Sequence, residues 1–163
     1  MSTVARLRTQ LGSQPISKQR LRLWLRLLRA SRAIEAKLRD RLRITFEITL
    51  PQFDVVAALA RHDNGMTMTE LSRELMVSNG NVTGIIDRLV TEKLVLRKAL
   101  AEDRRTFIVR LTPKGAAHFD ETAKIHERWI DEMLRDVGDA EAAAMIGWLD
   151  GLTSRVRNGG APT

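Results

Sequence analysis

The stretch Ser78–Val95, SNGNVTGIIDRLVTEKLV, decides the fold of this chain. Its apolar residues recur at positions i, i+3, i+4, i+7 and i+8 of a helix: Val82, Ile85, Ile86, Leu89 and Val90. The residues left for the open face are small, polar or charged: Asn81, Gly84, Asp87 and Arg88. The stretch therefore predicts an amphipathic helix that buries one stripe and presents short polar side chains outward.

A second, shorter helix is predicted directly before this one. Thr67 followed three residues later by Glu70 is the pattern of a capping box, which starts a helix. Leu71 and Leu75 then share one face, and Ser78 is a suitable N-cap for the next helix. Two short helices joined by a tight turn, the second with polar residues at its open N-terminal end, are typical of a helix-turn-helix.

A hairpin and two further helices are predicted after the helix-turn-helix. β-like runs at Leu94–Leu100 and Thr106–Leu111 are separated by the charged residues 101–105, which predicts a wing with a basic tip. Thr112 and Pro113 begin a helix that runs to about Val137, and a last helix runs from Asp139 to about Val156.

Two helices are predicted upstream, so the fold class is mainly α. Residues 17–45 contain no Pro or Gly, and they carry apolar residues at helical spacing: Leu23, Leu27, Ile34, Leu38 and Leu42. Pro51 opens the next helix, which ends at the turn residues 63–65. Its expected buried set is Phe53, Val56, Ala57 and Ala60.

This order of elements resembles the MarR family of bacterial winged-helix transcription regulators, over nearly the whole chain. The most specific matches are Ser78–Val95 and residues 102–115, EDRRTFIVRLTPKG. One departure is Lys93, which stands where the family usually has Gly before the first wing strand.

The resemblance implies a division of the chain by role. Residues 51–111 would form the winged helix-turn-helix DNA-binding module, and residues 15–48 and 113–157 a helical dimerisation region. Residues 158–163 are expected to be a flexible tail. By resemblance the protein is an obligate homodimer, and its two winged modules read a palindromic double-stranded DNA operator.

Composition agrees with a polyanionic partner. The 163 residues carry a net charge of +7, with a pI near 10.7. No cysteine is present, which excludes disulfides and thiol chemistry, and no run approaches the ~20 apolar residues of a membrane span. We therefore expect a cytoplasmic protein without membrane contact.

The second helix of the helix-turn-helix carries most of the candidate DNA contacts. Asn81 suits a base edge in the major groove, while Ser78 and Thr83 suit phosphates near the helix N-terminus. Asn79 and Arg88 are weaker candidates, and Gly84 would allow close approach to DNA or to a neighbouring helix. The plain alternative is an ordinary solvated helix face.

The wing supplies the remaining DNA candidates. By the family's pattern Arg105 inserts into the minor groove, where the potential is most negative, and Asp103 orients it. Arg104 is expected to meet a phosphate, as is Lys98 or Arg97 on the preceding strand. The alternative is a solvated hairpin tip.

The first helix carries an unexpected excess of positive charge. Residues 1–45 hold 12 basic and 2 acidic side chains, and Lys18, Arg22, Arg26 and Arg29 fall on one side of the helix. We call these four residues the cationic stripe. By resemblance this helix lies in the dimerisation region beside the effector pocket, so a multiply charged anion such as an acyl-coenzyme A thioester is expected there. Trp24 and Phe46 would flank its apolar part; the alternatives are a solvated face and a core Trp24.

Metal and enzyme chemistry find no support in the sequence. His118 and His126 lie eight residues apart on one predicted helix, about 12 Å along its axis, which is too far to share one ion. No nucleophile elbow, P-loop or dinucleotide fingerprint is present, so we expect no cofactor and no enzyme. The rival function is a winged-helix module for RNA or protein interactions, without effector response.

Overall fold

The computed structural model describes residues 15–99 and 106–159. Within these ranges the chain forms six helices and three short strands. They are α1 Ile16–Phe46, α2 Leu50–Ala60, β1 Met66–Thr67, α3 Met68–Leu75, α4 Asn79–Thr91, β2 Val95–Ala99, β3 Phe107–Leu111, α5 Pro113–Leu134 and α6 Asp139–Arg157. This confirms the mainly α, winged helix-turn-helix fold class.

The first helix is one continuous element that ends at Glu47, a residue in the left-handed conformation with φ of 56°. Of its predicted apolar stripe only Leu38 and Leu42 are buried, where α1 packs on α2. Leu23 is exposed, so the N-terminal part of the stripe has no cover within the described protomer.

The second helix begins with a capping box that the sequence analysis missed. The Thr49 hydroxyl accepts from the Gln52 N–H, and the Gln52 Oε1 accepts from the Thr49 N–H at 2.8 Å. The expected buried set was partly wrong, because Ala57 and Ala60 are only half-buried. The helix packs against α1, α3, α4 and β3, so it is buried around most of its circumference: Gln52, Phe53, Val55, Val56, Ala58 and Leu59.

The helix-turn-helix forms as its sequence predicts. The capping box of Thr67 and Glu70 starts α3, and the left-handed Met76 ends it. Ser78 then caps α4 by accepting from the Asn81 N–H. Val82, Ile86 and Leu89 are fully buried in the core that α4 shares with α2, α3 and the sheet, whereas Val90, predicted as part of the same stripe, is exposed.

The sheet has the strand order β1-β3-β2, and both pairings are antiparallel. β1 was not predicted, because two residues are too few to show an alternating pattern. Val95 and Val109 point into the core, while the opposite face carries the cross-strand pair Leu96 and Arg110.

The junction between α4 and the sheet depends on two unusual backbone positions. Lys93 adopts φ of 61°, in the left-handed region that favours glycine, and its carbonyl accepts from the Thr112 hydroxyl at 2.8 Å. Gly115 lies so close to the Leu94 backbone that a Cβ would overlap the Leu94 carbonyl. The first turn of α5 therefore requires a glycine there.

The chain divides into two compact units, residues 1–123 and residues 124–163. The second unit contains the end of α5, with Trp129, and the whole of α6, with Trp148. None of the residues of α6 is buried within the described protomer. Asn158 and Gly159 form a turn after α6. No helix in the described part of the chain is long and apolar enough to span a membrane.

Candidate nucleic-acid interface

The N-terminal turn of α4 is exposed and carries no acidic residue. Ser78, Asn79, Asn81, Thr83 and Arg88 all lie on its accessible surface, so the structure brings these predicted contacts together on one helix. The positive end of the helix dipole favours an anion at this turn.

Asn81 is the residue of α4 most available for a base edge. Its side-chain amide makes no hydrogen bond to residues 15–99 or 106–159, and it keeps both a donor and an acceptor for an adenine. A Cβ on Gly84 would meet no atom within 4 Å, so no neighbouring helix explains that glycine. Close approach to DNA at Gly84 stays a prediction.

Thr83 and Arg88 are already engaged. The Thr83 hydroxyl donates to the Asn79 carbonyl at 2.9 Å, which leaves its oxygen as an acceptor only. A phosphate oxygen is itself an acceptor, so a phosphate contact by Thr83 requires that bond to open. Arg88 Nε donates to Glu92 Oε1 at 3.0 Å, and this ion pair along the helix offsets part of its charge.

Arg97 has a role that the sequence analysis missed. Instead of standing free for a phosphate, its Nη2 lies 2.7 Å from Asp87 Oδ1 and 3.5 Å from the Thr83 carbonyl oxygen. This contact, which we call the staple, joins β2 to the middle of α4. Strand alternation contained the signal, since Arg97 is two residues from the buried Val95 and therefore faces α4.

Lys98 is exposed on the opposite face of the sheet, beside Arg110 and His62 in a groove of 530 Å³. β2 and β3 pair in register from Val95 and Leu111 to Ala99 and Phe107. Asp103, Arg104 and Arg105, the predicted tip contacts, lie outside the described residues.

A polar cluster joins α3 to the end of α2. Glu74 accepts from Arg61 Nη2 at 2.7 Å and lies 3.0 Å from His62 Nε2. The Arg61 hydrogen bond is the main cause that holds the pKa of Glu74 below its ordinary value. The cluster fixes the helix that precedes the reading helix α4.

The cationic stripe is exposed along the first half of α1. Lys18, Arg22, Arg26 and Arg29 form no hydrogen bond or ion pair within the described ranges. Trp24, on the other side of the same helix, is 57% exposed. Phe46 is half-buried, with its ring 6.3 Å from that of His118.

The expectation that Trp24 and Phe46 flank one apolar group is wrong within a protomer. They lie 22 residues apart on the continuous α1, which separates them by about 33 Å along the helix axis. No cluster of three His, Asp or Glu side chains suited to a metal occurs among residues 15–99 and 106–159.

Comparisons with known proteins agree with this geometry. A family model described as MarR family matches residues 46–106. The chain is 25% identical over 126 residues to the HTH-type transcriptional regulator MhqR of Bacillus subtilis, which covers 77% of this chain and 86% of that protein.

Solved structures show the same likeness. A MarR family transcriptional regulator from Silicibacter pomeroyi has a TM-score of 0.75 and 29% identity, with 88% of this chain and 99% of that chain covered. A mutant MarR from E. coli, complexed with operator DNA, has a TM-score of 0.73 and covers 86% and 99%. At 24% identity this last likeness concerns the fold alone.

Proposed function

We propose that this chain, which has a winged helix-turn-helix fold and is similar to transcription regulators of the MarR family, represses transcription as a homodimer on a palindromic operator. A small anionic effector then releases it. The observation that carries the proposal is the exposed, acid-free first turn of α4 with the unbonded Asn81 amide beside it.

Sequence reading is assigned to α4. The backbone N–H groups of its first turn suit a phosphate, which would set the helix register, and Asn81 then addresses a base edge. Ser78 and Asn79 lie at the same turn and are proposed to contact phosphate. The staple holds the wing strand β2 against α4, so reading helix and wing meet the duplex in a fixed relation.

The homodimer is proposed from apolar surface that a single protomer leaves exposed. These residues lie on α1 and α6 and include two of the three tryptophans: Ile16, Leu21, Leu23, Trp24, Leu25, Met145, Ile146, Trp148 and Leu149. Large apolar side chains exposed in such number on a helix indicate that a partner covers them. A two-fold dimer would cover it with the same elements of the partner and would present two copies of α4.

The effector is proposed to bind the cationic stripe. A free carboxylic acid brings one charge, whereas coenzyme A brings several phosphate charges, for which arginine offers paired hydrogen bonds. Four cations without a neighbouring partner therefore suit coenzyme A better than a free acid. Trp24 lies about 120–160° around α1 from these four residues, so it does not flank a group bound to the stripe.

The DNA function is tested by selecting duplexes from a random pool with purified protein and footprinting the selected sequence. We expect two half-sites about one helical turn apart, protected by one dimer. Repeating the titration with RNA of the same sequence tests the rival function, and equal affinity for RNA would contradict ours. A reporter gene under control of the operator shows whether the protein represses or activates transcription. Higher reporter expression in the presence of the protein would contradict repression.

The effector function is tested by calorimetric titration with a panel of acyl-coenzyme A thioesters and their parent free acids. We expect thioesters alone to bind, and the Arg26→Ala, Arg29→Ala double variant to lose them. The matched control is Arg20→Ala with Lys37→Ala, which removes the same charge from the same helix outside the stripe. Equal binding of free acids, or unchanged thioester affinity in the double variant, would show that the stripe is a solvated face.

A further inference from the structure

A second basic surface lies at the other end of α1, beside the reading helix. An open groove of 590 Å³ lies between α1 and α4. Arg39 and Arg43 of α1 line one side, and Asn81 and Ile85 of α4 line the other. We propose that Arg39 and Arg43 bind phosphates of the DNA backbone that flanks each half-site. This inference rests on the proposed reading of DNA by α4.

The position of the groove supports a phosphate rather than a base as the partner. A helix seated in the major groove, which is about 12 Å wide, has a phosphate backbone on each side. Asn81 and Ile85 belong to the part of α4 that would enter that groove. Side chains across from them therefore face a backbone strand, and not base edges.

The two arginines are available for this contact. Both are exposed, and Arg39 has no ion-pair or hydrogen-bond partner in the described part of the chain. Asp40 is the one acid among the described residues that line the groove, and its Oδ1 lies 3.9 Å from Arg43 Nη2. That distance is long for an ion pair, and both side chains are exposed, so Asp40 offsets little of the charge.

The arrangement along α1 also fits an extended anion. Arg39 and Arg43 are one helical turn apart and share a face. A guanidinium fork matches the geometry of phosphate oxygens, and two forks one turn apart suit consecutive phosphates.

The experiment measures affinity against salt concentration for the Arg39→Ala, Arg43→Ala double variant, on the selected operator and on a scrambled duplex of equal length. Each lost phosphate contact lowers the slope of log affinity against log salt by about 0.9, so we expect a reduction of about 1.8 per protomer. A dimer loses four contacts and therefore about 3.6 in slope, so between 50 and 200 mM salt the ratio of variant to wild-type dissociation constants should shrink by about 150-fold. The loss should be equal on both duplexes.

Two controls separate this contact from a general charge effect. Arg20→Ala with Lys37→Ala removes the same charge from α1, with Lys37 turned about 160° from Arg39, and should leave the slope unchanged. Asp40→Asn removes the opposing charge from the groove itself and should raise affinity at low salt. Thermal melts and sedimentation confirm that each variant remains folded and in its native oligomeric state.

The outcomes are distinct. The inference is overturned if the Arg39→Ala, Arg43→Ala variant has the same salt slope as the Arg20→Ala, Lys37→Ala control. It is also overturned if that variant loses thioester binding but keeps DNA binding. In both cases the proposed function stands. Loss on the operator alone assigns Arg39 and Arg43 to base reading, which also overturns it. Failure of the wild-type protein to prefer the operator overturns the proposed function itself.

Discussion

Removing either partner of the staple should weaken DNA binding without unfolding the protein. Asp87 and Arg97 meet at 2.7 Å, with side chains 59% and 31% exposed. Because water screens such a pair, we expect it to contribute about 0.5–1 kcal/mol to stability. For a chain of this length that free energy corresponds to a shift of about 1–4 °C in Tm.

The effect on DNA binding follows from the same free energy. If only the stapled arrangement of β2 and α4 fits the duplex, loss of the staple reduces its population, and the operator affinity falls with it. A contribution of about 0.5–1 kcal/mol per protomer corresponds to about a 2–5-fold loss for one staple, or about 5–30-fold for a dimer that loses both. The loss should appear in Asp87→Ala even though that substitution makes the protein more positive.

A double-mutant cycle tests this reasoning against a direct phosphate contact by Arg97. Operator affinity is measured by gel shift for Asp87→Ala, Arg97→Ala and the double variant. The staple predicts that the double variant is no worse than Arg97→Ala alone. Losses that add within about 0.3 kcal/mol, or an affinity gain in Asp87→Ala, would refute it.

Four further predictions concern other parts of the molecule. Arg105→Ala should weaken operator binding by about 1–3 kcal/mol with the dimer intact, and Asp103→Ala by less; unchanged affinity in a gel shift would contradict the minor-groove assignment. Asn81→Ala should lose about 1–3 kcal/mol on the operator but not on random DNA, and equal losses would mark a phosphate contact. Lys93→Gly should stabilise the fold by about 1 kcal/mol in urea denaturation, because φ at that position is 61°; destabilisation would mean that the lysine makes a compensating contact. The lowered pKa of Glu74 means that its ion pair stabilises the protein above pH 4.5 and is lost as the pH falls through the lower folded value, so wild type and Glu74→Gln should differ in Tm near neutral pH and converge in acid.

Local structure could be predicted from the sequence wherever it depends on residues that are close together in the chain. The capping box of Thr67 and Glu70 and the cap at Ser78 depend on residues three positions apart, and both form as predicted. The buried set of α2 was misassigned because neighbours on several sides bury it, which removes the helical period. β1 pairs with residues over 40 positions away, so its two residues carry no local signal.

The candidate interface also contains contacts that the sequence predicts and contacts that only the fold reveals. The contacts of α4 could be proposed from the sequence because they all lie on one helix, whose period fixes their relative positions. The staple and the groove beside Asn81 each bring together elements that are distant in the sequence, so their geometry required the fold. The pairing of Trp24 and Phe46 was wrong because it rested on their shared aromatic character and ignored the length of helix that separates them.

The placement of the tryptophans makes the chain a selective optical reporter. Trp24, Trp129 and Trp148 lie on α1, α5 and α6, and the chain contains no tyrosine. Residues 51–111 are therefore silent in tryptophan emission, although they contain the whole proposed reading surface. Docking of α4 on DNA leaves the emission unchanged by itself. A spectral change when DNA is added therefore reports an event at α1, α5 or α6, which is either contact of α1 with the duplex or a rearrangement of these helices, and distinguishes it from docking of α4 alone.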